Sequence, residues 1–399
     1  MSDVRARISR VSSVAAGIRQ GVFSELQRHI DAFAATVGDL VPLQIGDTCV
    51  APPIAEGTSR VISELGSYGA TVGLDELRRA LATSLLARGF GPAAIDPKTE
   101  VMLGVGATHA LACAARTVLE PGDEVLLLAP YWPLAHGILR SCGAVVVEVP
   151  FTSVLYDDPS ADVAALLAPH LTPRTRAIYL ITPNNPDGKV LAQKHLEAIA
   201  RVAVDADLWV FADEVYADYT YEGTHISIAA LPGMAARTLT AFSFSKSHAL
   251  AGARVGALVA AADVIEAARR VSTHTVFNVP VTMQRAALEA LTQGDAWVTS
   301  ARRTYREARD RTAEALAPLP LRFAMPDGGV YFFVDFTQAL AGRPLHELMA
   351  HAIAAGVLLA PGEAFGQAYA TSARLCFTSV PLPRVLEGIS RLKSALTKL

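Results

Sequence analysis

From about residue 75 the chain carries short apolar runs separated by stretches of helical length. The runs cover residues 101–105, 124–128, 144–149, 177–181, 208–212, 238–242 and 256–260. Val, Leu and Ile fill successive positions in them rather than alternating ones. Strands buried on both faces of a mostly parallel sheet read this way. Helical stretches between the runs include residues 108–119, 192–205 and 261–271. Strand and helix in alternation predict an α/β fold with a doubly wound, mostly parallel sheet.

The texture differs at the two ends. Residues 14–37 place Val14, Ile18, Val22, Leu26 and Ile30 on one helical face, and a short strand over 40–45 ends at Gly46. Beyond about residue 280, a long helix over 281–316 combines Arg and Glu with apolar residues at helical spacing. Strands over 321–324, 330–336, 357–359 and 374–377, a Gly328-Gly329 turn, and helices near 345–355 and 383–397 complete an α+β pattern. The expected organisation is a large domain over 51–280 and a smaller one over 281–399. The smaller domain includes the long connecting helix, and residues 1–50 contribute to it.

A chain of 399 residues accommodates two such domains. No run reaches the roughly 20 apolar residues of a membrane span. The start, Met1-Ser2-Asp3-Val4-Arg5-Ala6-Arg7, lacks the apolar stretch of a secretory signal. A net charge of −3 without a basic block argues against nucleic acid as a partner. Cys49, Cys113, Cys142 and Cys376 are widely spaced, with no CxxC pair or Cys/His metal pattern. Reduced thiols in a cytoplasm and no metal site are the expectation.

Ligands of open α/β sheets collect at the carboxyl ends of the strands, and several polar residues fall there. Gly106-Ala107-Thr108 lies between strand and helix, suiting either a phosphate at a helix N-terminus or a plain turn. Trp132 follows the second run and could stack on a flat ring or pack in the core. Asn185 can donate to a phenolate-type oxygen, or simply belong to a turn. Asp213 can face a pyridine nitrogen, with Tyr216 three residues on, or cap a helix. Lys246 stands between hydroxyls in Ser243-Phe244-Ser245-Lys246-Ser247, with Arg254 eight residues later. A lysine amine condenses with an aldehyde, and hydroxyls with an arginine fork suit a phosphate. One small molecule carrying both groups is pyridoxal 5′-phosphate. Arg374, between small and apolar residues, suits a carboxylate or a surface ion pair.

Taken in order, these residues resemble the class I/II aminotransferase family of fold-type I pyridoxal-phosphate enzymes, from about Leu43 to the C-terminus. The matches are Tyr68 with Gly73 and Leu77-Arg78, Gly106-Ala107-Thr108, Tyr131-Trp132, Asn184-Asn185-Pro186-x-Gly188, and Asp213-x-x-Tyr216. They continue through Ser243-x-Ser245-Lys246 with Arg254, Gly328-Gly329-x-Tyr331, Pro361-Gly362 with Phe365-Gly366, and Arg374.

The resemblance implies transfer of an amino group from an L-amino acid to a 2-oxo acid by a ping-pong mechanism. Lys246 would hold the cofactor as a Schiff base and then carry a proton. Asp213 would pair with the pyridine nitrogen, Asn185 and Tyr216 with the 3′ oxygen, and Trp132 with the ring face. Gly106, Ala107, Thr108, Ser243, Ser245 and Arg254 would surround the phosphate. Arg374, the Gly46 loop, Trp132 and Asn185 would bind substrate. Tyr68 would reach the phosphate of a neighbouring subunit, implying a homodimer. β- or γ-elimination or oxidation on the same cofactor is the alternative. A non-catalytic sensor is the remote one, because only about 40 residues precede the Gly46 loop.

The sequence departs from the family pattern in four places. Asp187 stands in the Asn-Pro-x-Gly turn, where it is expected to lie outside direct cofactor contact. Asp47-Thr48-Cys49-Val50 follows Gly46 on the substrate side. His109 and His136 occupy positions where other residues are common, and both are expected to be structural. No residue stands out to bind a distal carboxylate of the substrate.

Overall fold

The computed structural model describes residues 39–54 and 67–399, together with Val14, Ile30 and Phe33. The helix expected over 14–37 otherwise lies outside the described residues. The strands are β1 (Val41–Pro42), β2 (Val101–Val105), β3 (Glu124–Ala129), β4 (Val145–Pro150), β5 (Thr175–Ile181), β6 (Trp209–Asp213) and β7 (Thr238–Ser243). They continue with β8 (Val255–Val259), β9 (Arg322–Phe323), β10 (Tyr331–Asp335), β11 (Val357–Leu358), β12 (Ala360–Pro361) and β13 (Ser372–Cys376).

The central sheet has the order β2-β8-β7-β6-β5-β3-β4. Strands β7, β6, β5, β3 and β4 run parallel, and β8 is antiparallel to both of its neighbours. The apolar runs are continuous because both faces are covered. Val125, Leu127, Ala177, Tyr179 and Phe211 enter the core on one face. Leu126, Leu128, Ile178, Leu180, Val210 and Ala212 enter the core on the other. Burying each large apolar side chain contributes roughly 1.5–3 kcal/mol, so truncating Leu126 to Ala would leave a void in one whole layer.

The second sheet is antiparallel, in the order β12-β13-β10-β9, beside the parallel pair β1-β11. The helix Val281–Leu316, about 54 Å long at 1.5 Å per residue, joins the two regions. Its Ala287 and Ala290 pack with β2 and β8 side chains. Its Ala301, Tyr305, Ala308 and Leu316 pack in the core of the second sheet. Among the described residues no helix is long and apolar enough to cross a membrane.

One expectation needs correction. The strand expected over 40–45 is only Val41–Pro42, because the chain bends at Gln44 and Ile45 and sends Gly46 toward Lys246. Arg374, read either as a carboxylate binder or as a surface residue, is buried. It sits in the middle of β13, paired with Phe333 on one side and Ala360 on the other, and is 3% exposed.

The strand directions gather the polar residues. The ends of β5 and β6 meet at Ile181 and Asp213, and Asp213 pairs across to β7. Because β8 runs backwards, its start lies beside the ends of β7 and β2, with Ser243 opposite Gly256 and Val105 opposite Val255. Arg254, just ahead of β8, therefore arrives at the same edge as residues that follow the parallel strands.

Candidate active site

A cavity of about 430 Å³ opens at that edge. Gly46, Ala107, Thr108, Trp132, Asn185, Asp213, Tyr216, Ser243, Ser245, Lys246, Arg254 and Arg374 all line it. Of the residues expected to hold cofactor or substrate, Gly106 and Tyr68 do not. Gly106 lies behind the Arg254 guanidinium: a Cβ there would come within 2.4 Å of Nη2. Tyr68 is 86% exposed and meets Phe277 edge-on at 4.9 Å, away from this chain's cavity.

Lys246 is carried by the short helix Phe244–Ser247, which Ser243 caps by accepting the Ser245 N–H at 3.2 Å. Its Nζ donates to the Gly46 carbonyl oxygen. Burial is the main influence on this amine and lowers its pKa below the usual lysine value. The Asp47 carboxylate opposes the shift, and the Arg374 and Arg254 guanidinium groups reinforce it. The neutral amine is thus favoured first by desolvation and only second by neighbouring cations.

Asp213 ends β6 and is 4% exposed. It accepts from the Tyr179 hydroxyl at 3.3 Å and the Val215 N–H at 3.4 Å. Burial pushes its carboxyl up to about 7. Among the described residues it has no ion pair, so a protonated heterocycle brought into the cavity would find an anion awaiting a cation. Tyr216 shares a hydrogen bond with the Tyr331 hydroxyl at 2.7 Å, and burial raises the pKa of both phenols.

The helix Gly106–Val118 begins at the cavity, and no side chain caps its N-terminus. Its first-turn N–H groups and dipole therefore suit an anion, with Thr108 in the same turn. Arg254 adds its guanidinium from the left-handed conformation (φ 53°), donating to Ser245 Oγ at 3.2 Å and the Ala251 carbonyl at 3.0 Å. Gly256 permits the close approach of this turn, since a Cβ there would lie 2.4 Å from the Ala107 nitrogen. Opposite, Arg374 donates to Asn185 Oδ1 at 2.8 Å and to the Gln44 carbonyl at 2.7 Å. The Tyr331 ring lies 4.2 Å from its guanidinium carbon.

Two sets of anion-binding donors, around Thr108 and Arg254 and around Arg374, thus share the cavity wall with a buried amine and a buried acid. This donor set fits pyridoxal 5′-phosphate with an amino acid beside it.

Asp187 does not line the cavity. It is buried in its turn, accepting from the Thr152 hydroxyl, the Asn184 amide at 2.8 Å and the Lys189 N–H at 3.1 Å. His109 Nδ1 accepts the Val105 N–H at 3.2 Å, and burial lowers its pKa. His136 stacks on Tyr131 with centroids 6.4 Å apart.

Sequence reasoning left Tyr331, Val215, Ile181, Ala251 and Ile45 out of the site, and all five line the cavity. Tyr331 carried a signal, two residues past the Gly328-Gly329 turn. The apolar four carried none that separates a cavity wall from core.

Comparison with known proteins gives the same picture. The family model described as "Aminotransferase class I and II" matches residues 39–392. The arginine–pyruvate transaminase of Pseudomonas aeruginosa is 34% identical over 382 residues, covering 94% of this chain and 92% of that protein. The aspartate/prephenate aminotransferase of Thermus thermophilus is 35% identical over 348 residues, covering 84% and 87%. The structure of aspartate aminotransferase from Thermus thermophilus with maleate superposes with a TM-score of 0.87 at 29% identity, covering 97% of this chain and 99% of that one. The chain belongs to the class I and II aminotransferase family, enzymes that use pyridoxal phosphate to transfer amino groups.

Proposed function

We propose that the enzyme moves the amino group of an L-amino acid to a 2-oxo acid in two half-reactions at this one cavity. The observation that carries the reading is the placement of Lys246, Asp213 and Arg374, from three separate segments, on the walls of a single cavity. When bound, pyridoxal phosphate supplies an aldehyde that captures amines and a ring that accepts the electron pair left at Cα.

The chain's residues would divide the remaining work. Ala107, Thr108, Ser243, Ser245 and Arg254 would hold the phosphate, with Gly106 leaving room for the arginine. Asp213 would keep the ring nitrogen protonated. Asn185 and Tyr216 would donate to the ring oxygen, and Trp132 would cover the ring. Lys246 would anchor the cofactor covalently. Its Nζ, neutral once released, would take the substrate's Cα proton. Arg374 would grip the α-carboxylate while Asn185 and the Gly46 loop fix its orientation.

The same reading includes a homodimer. Tyr68 stands exposed next to Phe277 and away from its own chain's cavity, which supports a role at a partner's phosphate. A division into domains at about residues 50 and 280 is supported by the separate cores that the long helix joins. The four cysteines are free thiols, which supports a reducing, cytoplasmic setting.

A screen of single amino donors against pyruvate, 2-oxoglutarate and oxaloacetate tests the activity. Formation of a new amino acid from the oxo acid supports transamination. Ammonia release with no new amino acid would overturn it.

A further inference from the structure

We propose that neutral His109 is a positioning residue that holds the phosphate-binding turn in its anion-binding shape by accepting the Val105 N–H. The proposal rests on the aminotransferase reading, which puts the cofactor's phosphate at this turn.

The turn between β2 and the helix Gly106–Val118 has to aim main-chain N–H groups at an anion. Gly106 carries it through the left-handed region, at φ 71°. Three neighbours fix its course. The Gly106 N–H donates to the Arg254 carbonyl at 2.9 Å. Gly256 of β8 lies against the Ala107 nitrogen, where a Cβ would not fit. His109 reaches back one helical turn, and its Nδ1 accepts the Val105 N–H at 3.2 Å. Ala107 and Thr108, which line the cavity, lie between that donor and that acceptor.

A backbone N–H can only donate, so Nδ1 carries no proton and the neutral ring has its proton on Nε2. Nε2 lies 3.3 Å from Cys113 Sγ and 3.4 Å from Thr275 Oγ1. The Thr275 hydroxyl donates to the Val271 carbonyl at 3.0 Å, so its oxygen lone pairs remain to accept. The ring is thus held at both nitrogens, on one side to the turn and on the other to the helix Ala262–Thr275. Burial, reinforced by the Arg116 guanidinium, favours the neutral form.

His109 does not line the cavity, so it is placed to act through the turn rather than on a ligand. Without its acceptor the Val105 N–H would be unpaired, and the turn would shift to satisfy it at the expense of its aim. A phosphate bound by fixed N–H groups feels that shift. An aldehyde captured by Lys246 on the opposite side of the ring does not. Glutamine can take over the task, because a Gln in the first turn of a helix reaches back to the N-cap N–H. Val105 is that N-cap residue. Leucine fills similar space and offers no acceptor.

The test measures dissociation constants of pyridoxal 5′-phosphate and of phosphate-free pyridoxal, read from the aldimine absorbance of the wild type, His109→Leu and His109→Gln. His109→Leu should weaken binding of the phosphorylated aldehyde about tenfold, the effect of one hydrogen bond, and leave pyridoxal within about twofold of the wild type. His109→Gln should keep both aldehydes within about threefold of the wild type. Pyridoxal binding certifies a folded variant, and His109→Ser replaces the leucine variant if that one does not fold. An unchanged preference for the phosphorylated aldehyde in His109→Leu, whether both weaken equally or neither does, would overturn the proposal. So would a glutamine variant as weak as the leucine one. Either result leaves the aminotransferase reading standing, whereas a wild type that forms no aldimine with either aldehyde would overturn that reading.

Discussion

Arg374 and Asn185 join the two sheets at the cavity, Nη1 donating to Oδ1 at 2.8 Å. The arginine comes from the middle of β13 and the asparagine from the turn after β5. Each orients the other, and the Gln44 carbonyl fixes the far side of the fork. Arg374→Lys keeps the charge and loses the fork. The KM for amino acid and for oxo acid should both rise roughly 10- to 100-fold, with a smaller change in kcat. Steady-state kinetics in both directions checks this. A rise for one partner alone would contradict it, since both carry the carboxylate.

Asp213 makes the cofactor-free protein pH-sensitive. Its carboxyl is pushed from the usual 3.8 to about 7 by burial. Below about pH 4 it is protonated whether the chain is folded or not, and it costs nothing. As pH rises, the unfolded chain ionises first and the folded state loses stability. The loss is complete above about pH 7, at about 4 kcal/mol. Asp213→Asn removes this cost. Cofactor-free Asp213→Asn should therefore melt above the cofactor-free wild type at pH 8, with the gap narrowing at pH 5. Calorimetry at the two pH values decides, and a gap that widens at pH 5 would refute the sign.

Gly256 lets β8 pass close to the phosphate-side turn. A Cβ there would meet the Ala107 nitrogen at 2.4 Å and the Phe242 oxygen at 2.8 Å, both backbone atoms unable to step aside. Gly256→Ala should cost roughly 1–3 kcal/mol in chemical denaturation. It should also weaken retention of pyridoxal phosphate in dialysis. Unchanged retention in a destabilised variant would separate β8 from the phosphate site.

Tyr68 and Lys246 are expected to serve one site from two chains. Tyr68→Ala should weaken cofactor retention by roughly 10- to 100-fold, the worth of one hydrogen bond to a charged group. Lys246→Ala should be inactive. Mixing the two variants after partial denaturation should regain activity, because one site of each hybrid has both residues. No regain, with hybrids demonstrated by mass, would place Tyr68 outside the partner's site.

The buried strands were legible because burial on both faces leaves continuous apolar runs, as in 177–181. Lys246, Asp213 and Asn185 were legible because each follows such a run. The direction of β8 was not, since an apolar run carries no polarity, yet that direction brings Arg254 to the site. Nor was the Gly46 carbonyl, a main-chain acceptor 200 residues from the lysine it holds. The Thr48–Tyr305 contact, across 257 residues, was equally silent. Such contacts depend on the packing of the two regions, which no local pattern records.

The central claim is that Lys246 and its neighbours run a reversible amino transfer. The most direct measurement adds one amino acid to the loaded enzyme without an oxo acid and follows the cofactor spectrum while assaying products. The account predicts one oxo acid per site, a stable shift to the pyridoxamine form, and full reversal by a 2-oxo acid, all lost in Lys246→Ala. Continuous ammonia release without accumulation of the pyridoxamine form would contradict it.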